Sequence, residues 1–198
     1  MTQPTSDCMA VRKQDISSLP RWLTACALCL LPLLVLLPDH AGAASAPCPA
    51  SVVDQLDGLY RWQVARQDER GPIDLSSQRG RFTPGLDQQL RAAHQLNPAD
   101  GRFVDFDVFS GTQVRTFGAR VLGCAPADQG GLEARVAVQV GLGKRPADAP
   151  VLLRYRLVAG PSGAWRIADI TYPGEPAFRL SSFLSELLDI QRNGDVKR

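Results

Sequence analysis

The segment Leu132–Leu142, LEARVAVQVGL, alternates without a break: Leu132, Ala134, Val136, Val138, Val140 and Leu142 fall on one side, Glu133, Arg135 and Gln139 on the other. A side-chain period of two belongs to a strand and not to a helix. One apolar and one polar face describe a half-buried antiparallel strand. The chain must therefore build a sheet with one face covered, and the cover must come from elsewhere in the sequence. Val151–Ala159 repeats the pattern, with Val151, Leu153, Tyr155 and Leu157 opposite Arg154 and Arg156. Gln113–Cys124 and Trp165–Tyr172 supply two more strands, and Gly130-Gly131, residues 143–150 and Gly160-Pro161-Ser162-Gly163 are the turns between them.

The cover is helical. Val52, Val53, Leu56, Leu59, Tyr60 and Val64 recur at helical spacing within Ser51–Gln67. Asp54 and Asp57 come early, Arg66 comes late, and Ser51 is the expected cap. Asp68–Arg81 is polar and glycine-containing and reads as a loop. Thr83-Pro84 opens a second helix with Leu86, Leu90, Ala93 and Leu96 on its apolar face, and Asn97-Pro98 ends it. Leu180, Phe183, Leu184, Leu187 and Leu188 mark a last helix. Helix, helix, four strands, helix is the order of an α+β domain. We expect a single domain over 51–190, a curved sheet closed by the first two helices around an apolar cone, and a flexible tail over 191–198.

The N-terminus reads as a processing signal. Trp22–Leu37 is an uncharged run of 16 residues preceded by Arg12, Lys13 and Arg21 and followed by Ala41-Gly42-Ala43, a small-x-small cleavage pattern. A bilayer span needs about 20 apolar residues, and Pro32 interrupts this run. Residues 1–43 are expected to leave as a signal peptide, with Met9 as an alternative start, and 44–50 to remain as a short connector. The other two placements are a lipoprotein, from Leu23-Thr24-Ala25-Cys26, and a signal anchor. The lipoprotein box begins the apolar run, where it should end it. Cys8, Cys26 and Cys29 leave with the signal, and the remaining pair, Cys48 and Cys124, is expected to be bonded in an oxidising periplasmic or secreted setting. Such a bond would stabilise the fold by about 4 kcal/mol in the chain-entropy model.

A net charge of +2 without a clustered basic run leaves no footprint for nucleic acid. LYRW (59–62), FVDFDVFSGTQ (103–113), LRYRLV (153–158) and AWRIADI (164–170) occur in that order. Together they resemble a family of small exported bacterial proteins, domain of unknown function 3828, which is similar to the nuclear-transport-factor-2-like and cystatin-like cone folds. The resemblance spans about Val52–Leu188. The chain departs from it at Val108, where the family has proline, and at Val114, where it has an acid. It implies the cone fold and no catalytic residue.

Three groups could carry chemistry. Asp105 and Asp107 lie among aromatics in FVDFDVFSGTQV. Counted from Asp105, the glycine of a calcium loop comes one position late and its closing acid is Thr116, so the metal reading fails. They remain a ligand contact or, more plainly, acceptors for backbone hydrogen bonds. Asp169 alternates with Trp165, Ile167 and Thr171 and should share their face. Inside an apolar cone it would be a base or a cation's partner, whereas outside it would pair with Arg154, Arg156 or Arg166. His94, at the edge of the second helix's apolar face, could join Asp169 at the cavity mouth or simply stand half exposed.

No cofactor or metal set is expected, and a single mature histidine disfavours nucleophilic triads. The leading expectation is a non-enzymatic periplasmic domain that binds a small apolar ligand or an envelope protein. The membrane is touched only through the signal segment if it stays uncleaved. The alternatives are a cone-fold isomerase or hydrolase using Asp169 with His94, and an immunity or inhibitor protein.

Overall fold

A computed structural model describes residues 46–69, 73–96 and 104–195; residues 1–43, expected to be a signal peptide, and the first residues of the expected connector lie outside it. The elements are α1 (Ala50–Arg66), a 3-10 segment (Ser76–Arg81), α2 (Pro84–His94), β1 (Arg115–Ala127), β2 (Gly131–Leu142), β3 (Arg145–Pro146), β4 (Val151–Ala159), β5 (Trp165–Tyr172), β6 (Phe178–Arg179) and α3 (Leu180–Asp195). The strands form one antiparallel sheet in the order β1-β2-β4-β5-β6, with β3 pairing β2. The class is α+β as the periodicity requires, with six strands in place of four. The extra two are two-residue strands, too short for a periodic pattern to register.

The alternation in β2 and β4 produces the core. Ala134, Val136, Val138 and Val140 are buried with Leu153, Tyr155 and Leu157 of β4, Val52, Leu56 and Leu59 of α1, Leu86 and Leu90 of α2, and Leu180 and Leu184 of α3. Each such aliphatic or aromatic side chain contributes about 1.5–3 kcal/mol by leaving water. All three helices supply the cover. Leu142 departs from the pattern, with 75% of its surface exposed. β4 reaches only as far as Val151 opposite Val138, so nothing of that strand lies beside Leu142. Leu96 is likewise exposed, because α2 ends at His94.

Helix boundaries correct three expectations. α1 starts at Ala50, and the Pro49 carbonyl accepts the N–H groups of Val52 and Val53; Ser51 lies inside the helix and makes no cap. The loop Asp68–Arg81 contains the 3-10 segment. Its end feeds Phe82 into a parallel bridge with Ile167, and the Thr83 N–H donates to the Ile167 carbonyl. α3 continues to Asp195, through residues expected to be tail. At the N-terminal end, Ala46 pairs with Cys124 through two backbone hydrogen bonds of 3.0 and 2.8 Å, and Cys48 is disulfide-bonded to Cys124.

Candidate binding groove

The stretch around Asp105 and Asp107 is a folded connector. Asp107 accepts the N–H groups of Phe109 (2.7 Å) and Ser110 (3.3 Å) on its carboxylate, and its own N–H donates to the Thr112 carbonyl. This is the self-bonding turn that aspartate favours. Gly111 closes it at φ +70°, where a Cβ would stand 3.0 Å from the Tyr172 ring, so both conformation and space call for glycine. Asp105 is exposed and Asp107 half-buried.

The turn presents its carbonyls inward to buried phenols. Tyr60 donates to the Phe109 carbonyl at 2.7 Å, and Tyr172 donates to the Val108 carbonyl at 2.6 Å. The Tyr155 hydroxyl lies 2.8 Å from that of Tyr60 and 3.2 Å from the Phe109 carbonyl. Burial pushes all three hydroxyls well above the ordinary tyrosine value, and the negative Asp107 adds to the shift. The Phe109 ring stacks on Phe82 at 6.0 Å and meets the edge of Trp62 at 5.9 Å. The connector thus fills space beneath the helices that an apolar cone would otherwise leave to a ligand. Trp62 covers Phe109 and carries the Arg66 guanidinium 4.7 Å above its ring.

Asp169 does not share a face with Ile167. A bulge at Ala168 shifts the register: Leu157 pairs with Ile167, but Arg156 pairs with Asp169. After the bulge Ile170 and Tyr172 take the buried apolar positions. Asp169 is only 5% exposed, and its carboxylate accepts the Ser181 N–H (3.0 Å), the Ser181 hydroxyl (2.6 Å) and the Ile170 N–H (2.9 Å). The Arg179 guanidinium stands 3.4 Å away. A negative group bonded to the first turn of α3 satisfies N–H groups that the helix cannot. The arginine that pairs with it is Arg179, one the strand pattern did not offer.

His94 is buried, with 8% of its surface exposed, rather than half exposed. Burial, with the Arg66 charge beside it, lowers its pKa from 6.5 to about 4, so it is neutral at neutral pH. The groups that shift His94 do not include Asp169, and those bonded to Asp169 do not include His94. Trp165 is half-buried against the core, and its carbonyl accepts the Gln55 side-chain amide at 2.6 Å. Among the described residues no group of three or more His, Cys, Asp or Glu side chains is placed to hold a metal ion.

A groove of about 440 Å³ runs between α1 and β1, lined by Asp57, Tyr60, Arg61, Val64, Ala65, Phe117, Gly118 and Ala119. The α1 residues follow the i, i+3, i+4, i+7, i+8 pattern of one helix flank. On β1, Gly118 has φ +151° at a bulge, and Phe117 is the extra residue between Thr116 and Gly118. The outer edge of β1 is closed at both ends. Gln67 takes the Thr116 N–H (3.0 Å) and donates to its carbonyl (2.9 Å), imitating a neighbouring strand, and Ala46 does the same at Cys124. Between these closures, residues 117–122 make no outer backbone pairing among the described residues. Sequence reasoning missed this groove. Its one legible trace is a glycine within a strand pattern, which signals a bulge. Compared with protein-family models, curated proteins and solved structures, the chain matches none.

Proposed function

We propose that this is an exported, non-enzymatic binding domain whose partner is an envelope protein. An extended segment of that partner lies in the groove between α1 and β1. The observation that carries this reading is the open stretch 117–122 of an edge strand beside an apolar groove. An added strand finds unpaired backbone groups there, and its alternate side chains meet Val64, Ala65, Phe117 and Ala119. Asp57 and Arg61 lie at the same groove and can bond a polar backbone or side chain. The small apolar ligand has less support, since the connector and three tyrosines occupy the space it would need. The acid–base pair Asp169 with His94 also has less support, since Asp169 is spent on α3 and Arg179. Export rests on the N-terminal signal pattern together with the disulfide, a bond of oxidising compartments. Kinship with the exported family resembled in sequence belongs to the same reading.

The test places a photoreactive residue at Val64 or Phe117, with Asp189 on α3 as a control, in a cell that exports the chain. The expected result is one adduct common to both groove positions, absent from the control and lost on Ala119→Pro, in protein recovered outside the cytosol and starting after Ala43. No adduct from folded, disulfide-bonded protein, or equal adducts from Asp189, would overturn the groove assignment. A chain retained in the cytosol with both thiols free would overturn export.

A further inference from the structure

The face of the sheet turned away from the helices carries an unusual charge pattern. Partners across a ladder point to the same side. Arg135 of β2 stands directly opposite Arg154 of β4. Arg156 lies two residues along β4 and pairs with Glu133, while Arg120 of β1 pairs with Ala137 beside Arg135. At the far end Arg166 pairs with Val158. The same ladders bring Asp169 opposite Arg156 and, through Thr171, Arg179 to this side, where those two pair with each other at 3.4 Å. Set against Glu133 alone, the other five arginines make a basic face in a domain of low overall charge. Glu133 answers one of them, at 3.7 Å from Arg154. Arg156 reaches the Asp128 carbonyl, at 3.4 Å. Arg120 and Arg135 are exposed and make no ion pair among the described residues.

Two cations set directly opposite each other weaken a sheet. Glu133 answers Arg154 alone, so Arg135 and Arg120 are left without a counter-charge among the described residues, and a local rule broken in this way is the mark of a surface completed by something else. What completes it must be anionic. Two further facts say which anion. Every cation on this face is arginine, whose planar fork grips phosphate oxygens in pairs and sheds water more readily than an ammonium. Within the same face Leu152, opposite Ala137, is 53% exposed, and Leu122, at the β1 bulge, is 36% exposed. Arginines interleaved with standing leucines match a surface that is phosphate at the top and hydrocarbon just below. An acidic polypeptide would answer the same charge, and the test below separates it from lipid.

We propose that the outer face of the sheet docks on an anionic phospholipid membrane, with Arg120, Arg135, Arg154 and Arg156 on lipid phosphates and Leu152 and Leu122 among the headgroups. This contact is independent of the α1–β1 groove and of any signal anchor.

The test is sedimentation of the full, disulfide-bonded chain with vesicles of zwitterionic lipid alone or with about a third phosphatidylglycerol. Binding through the apolar N-terminal run is common to both vesicles and to every variant, so the difference reports the sheet face. The expected result is a preference for anionic vesicles that is lost at high salt. Each arginine is worth about fivefold in affinity, so Arg135→Gln with Arg154→Gln together weakens binding on the order of 25-fold. That double variant also removes the like-charge pair, so its thermal midpoint should not fall. Arg192→Gln, on α3, should bind as the parent does. Leu152→Ser should weaken binding at unchanged charge. Equal sedimentation with both vesicles, equal loss in Arg192→Gln, or binding to polyglutamate but not to anionic vesicles would overturn the proposal.

Discussion

Single residues decide where this chain's polar groups go. Asp169 is the clearest case, a carboxylate within β5 that accepts one bond from its neighbour Ile170 and two from Ser181 at the start of α3. Asp169→Ala leaves the Ser181 N–H and hydroxyl without that acceptor and removes the counter-charge of Arg179. Loss of a cap costs about 0.5–2 kcal/mol and loss of a charged acceptor somewhat more. The expected fall in unfolding free energy is therefore about 2 kcal/mol, read as a lower urea midpoint at unchanged slope. A change below a few tenths of a kcal/mol would show that the cap is decorative. Asp169 was legible as a special residue, since a lone acid in an otherwise buried strand needs a partner. Its direction was not legible, because one extra residue, Ala168, reverses the parity of everything after it. Gly58 adds a similar lesson. A Cβ there would lie 2.4–2.6 Å from the Arg81 guanidinium, which donates to Gln55 and Gln78. A glycine inside a helix pattern can thus be room left for a side chain many residues away.

At the level of elements, the edge strand β1 is the part that needs help from outside the sheet. Gln67 closes one end, and the disulfide with the Ala46 pairing closes the other. Cys48 and Cys124 are 76 residues apart, and cross-linking a loop of that length restricts the unfolded chain by about 4 kcal/mol. Reduction, or Cys48→Ala with Cys124→Ala, should lower stability by that order. Amide exchange at Ala46 and Cys124 should quicken first, while Ala134–Val138, paired on both sides by β1 and β4, stays protected. Uniform loss of protection would show that the bridge holds the whole fold and not its edge. The pairing of these cysteines was readable from their number once the three cysteines of the N-terminal apolar pattern are set aside. The strand edge they secure was not, because it exists only once β1 has found β2.

Taken whole, the molecule should have stability limits at both ends of the pH scale, each set by buried groups. Unfolded, His94 titrates near 6.5, and folded it titrates near 4. Between those values the unfolded chain binds the extra proton, so stability falls as pH drops from about 6.5 to about 4. His94→Leu should flatten that limb. All three tyrosines of the chain are buried. Their folded values lie well above the ordinary 10.0. Above pH 10 the unfolded chain releases protons that the folded chain keeps, so stability falls as pH rises further. Phenolate absorbance should therefore appear in one cooperative step with the loss of fold. A gradual rise beginning near pH 10 in folded protein would show that at least one of these hydroxyls reaches water.

The α+β class, the β2 and β4 inner faces, the bounds of β4 and β5 and the cysteine pair follow from the sequence alone, because period, parity and residue count are local properties. The three-helix cover, the inward carbonyls of residues 108 and 109, the reversal at Ala168 and the opposition of Arg135 to Arg154 were decided only in the tertiary structure. Each of these depends on strand register, and register is set jointly by bulges, turns and the packing of the whole sheet. A shift of one residue moves a side chain from core to solvent without altering any local pattern.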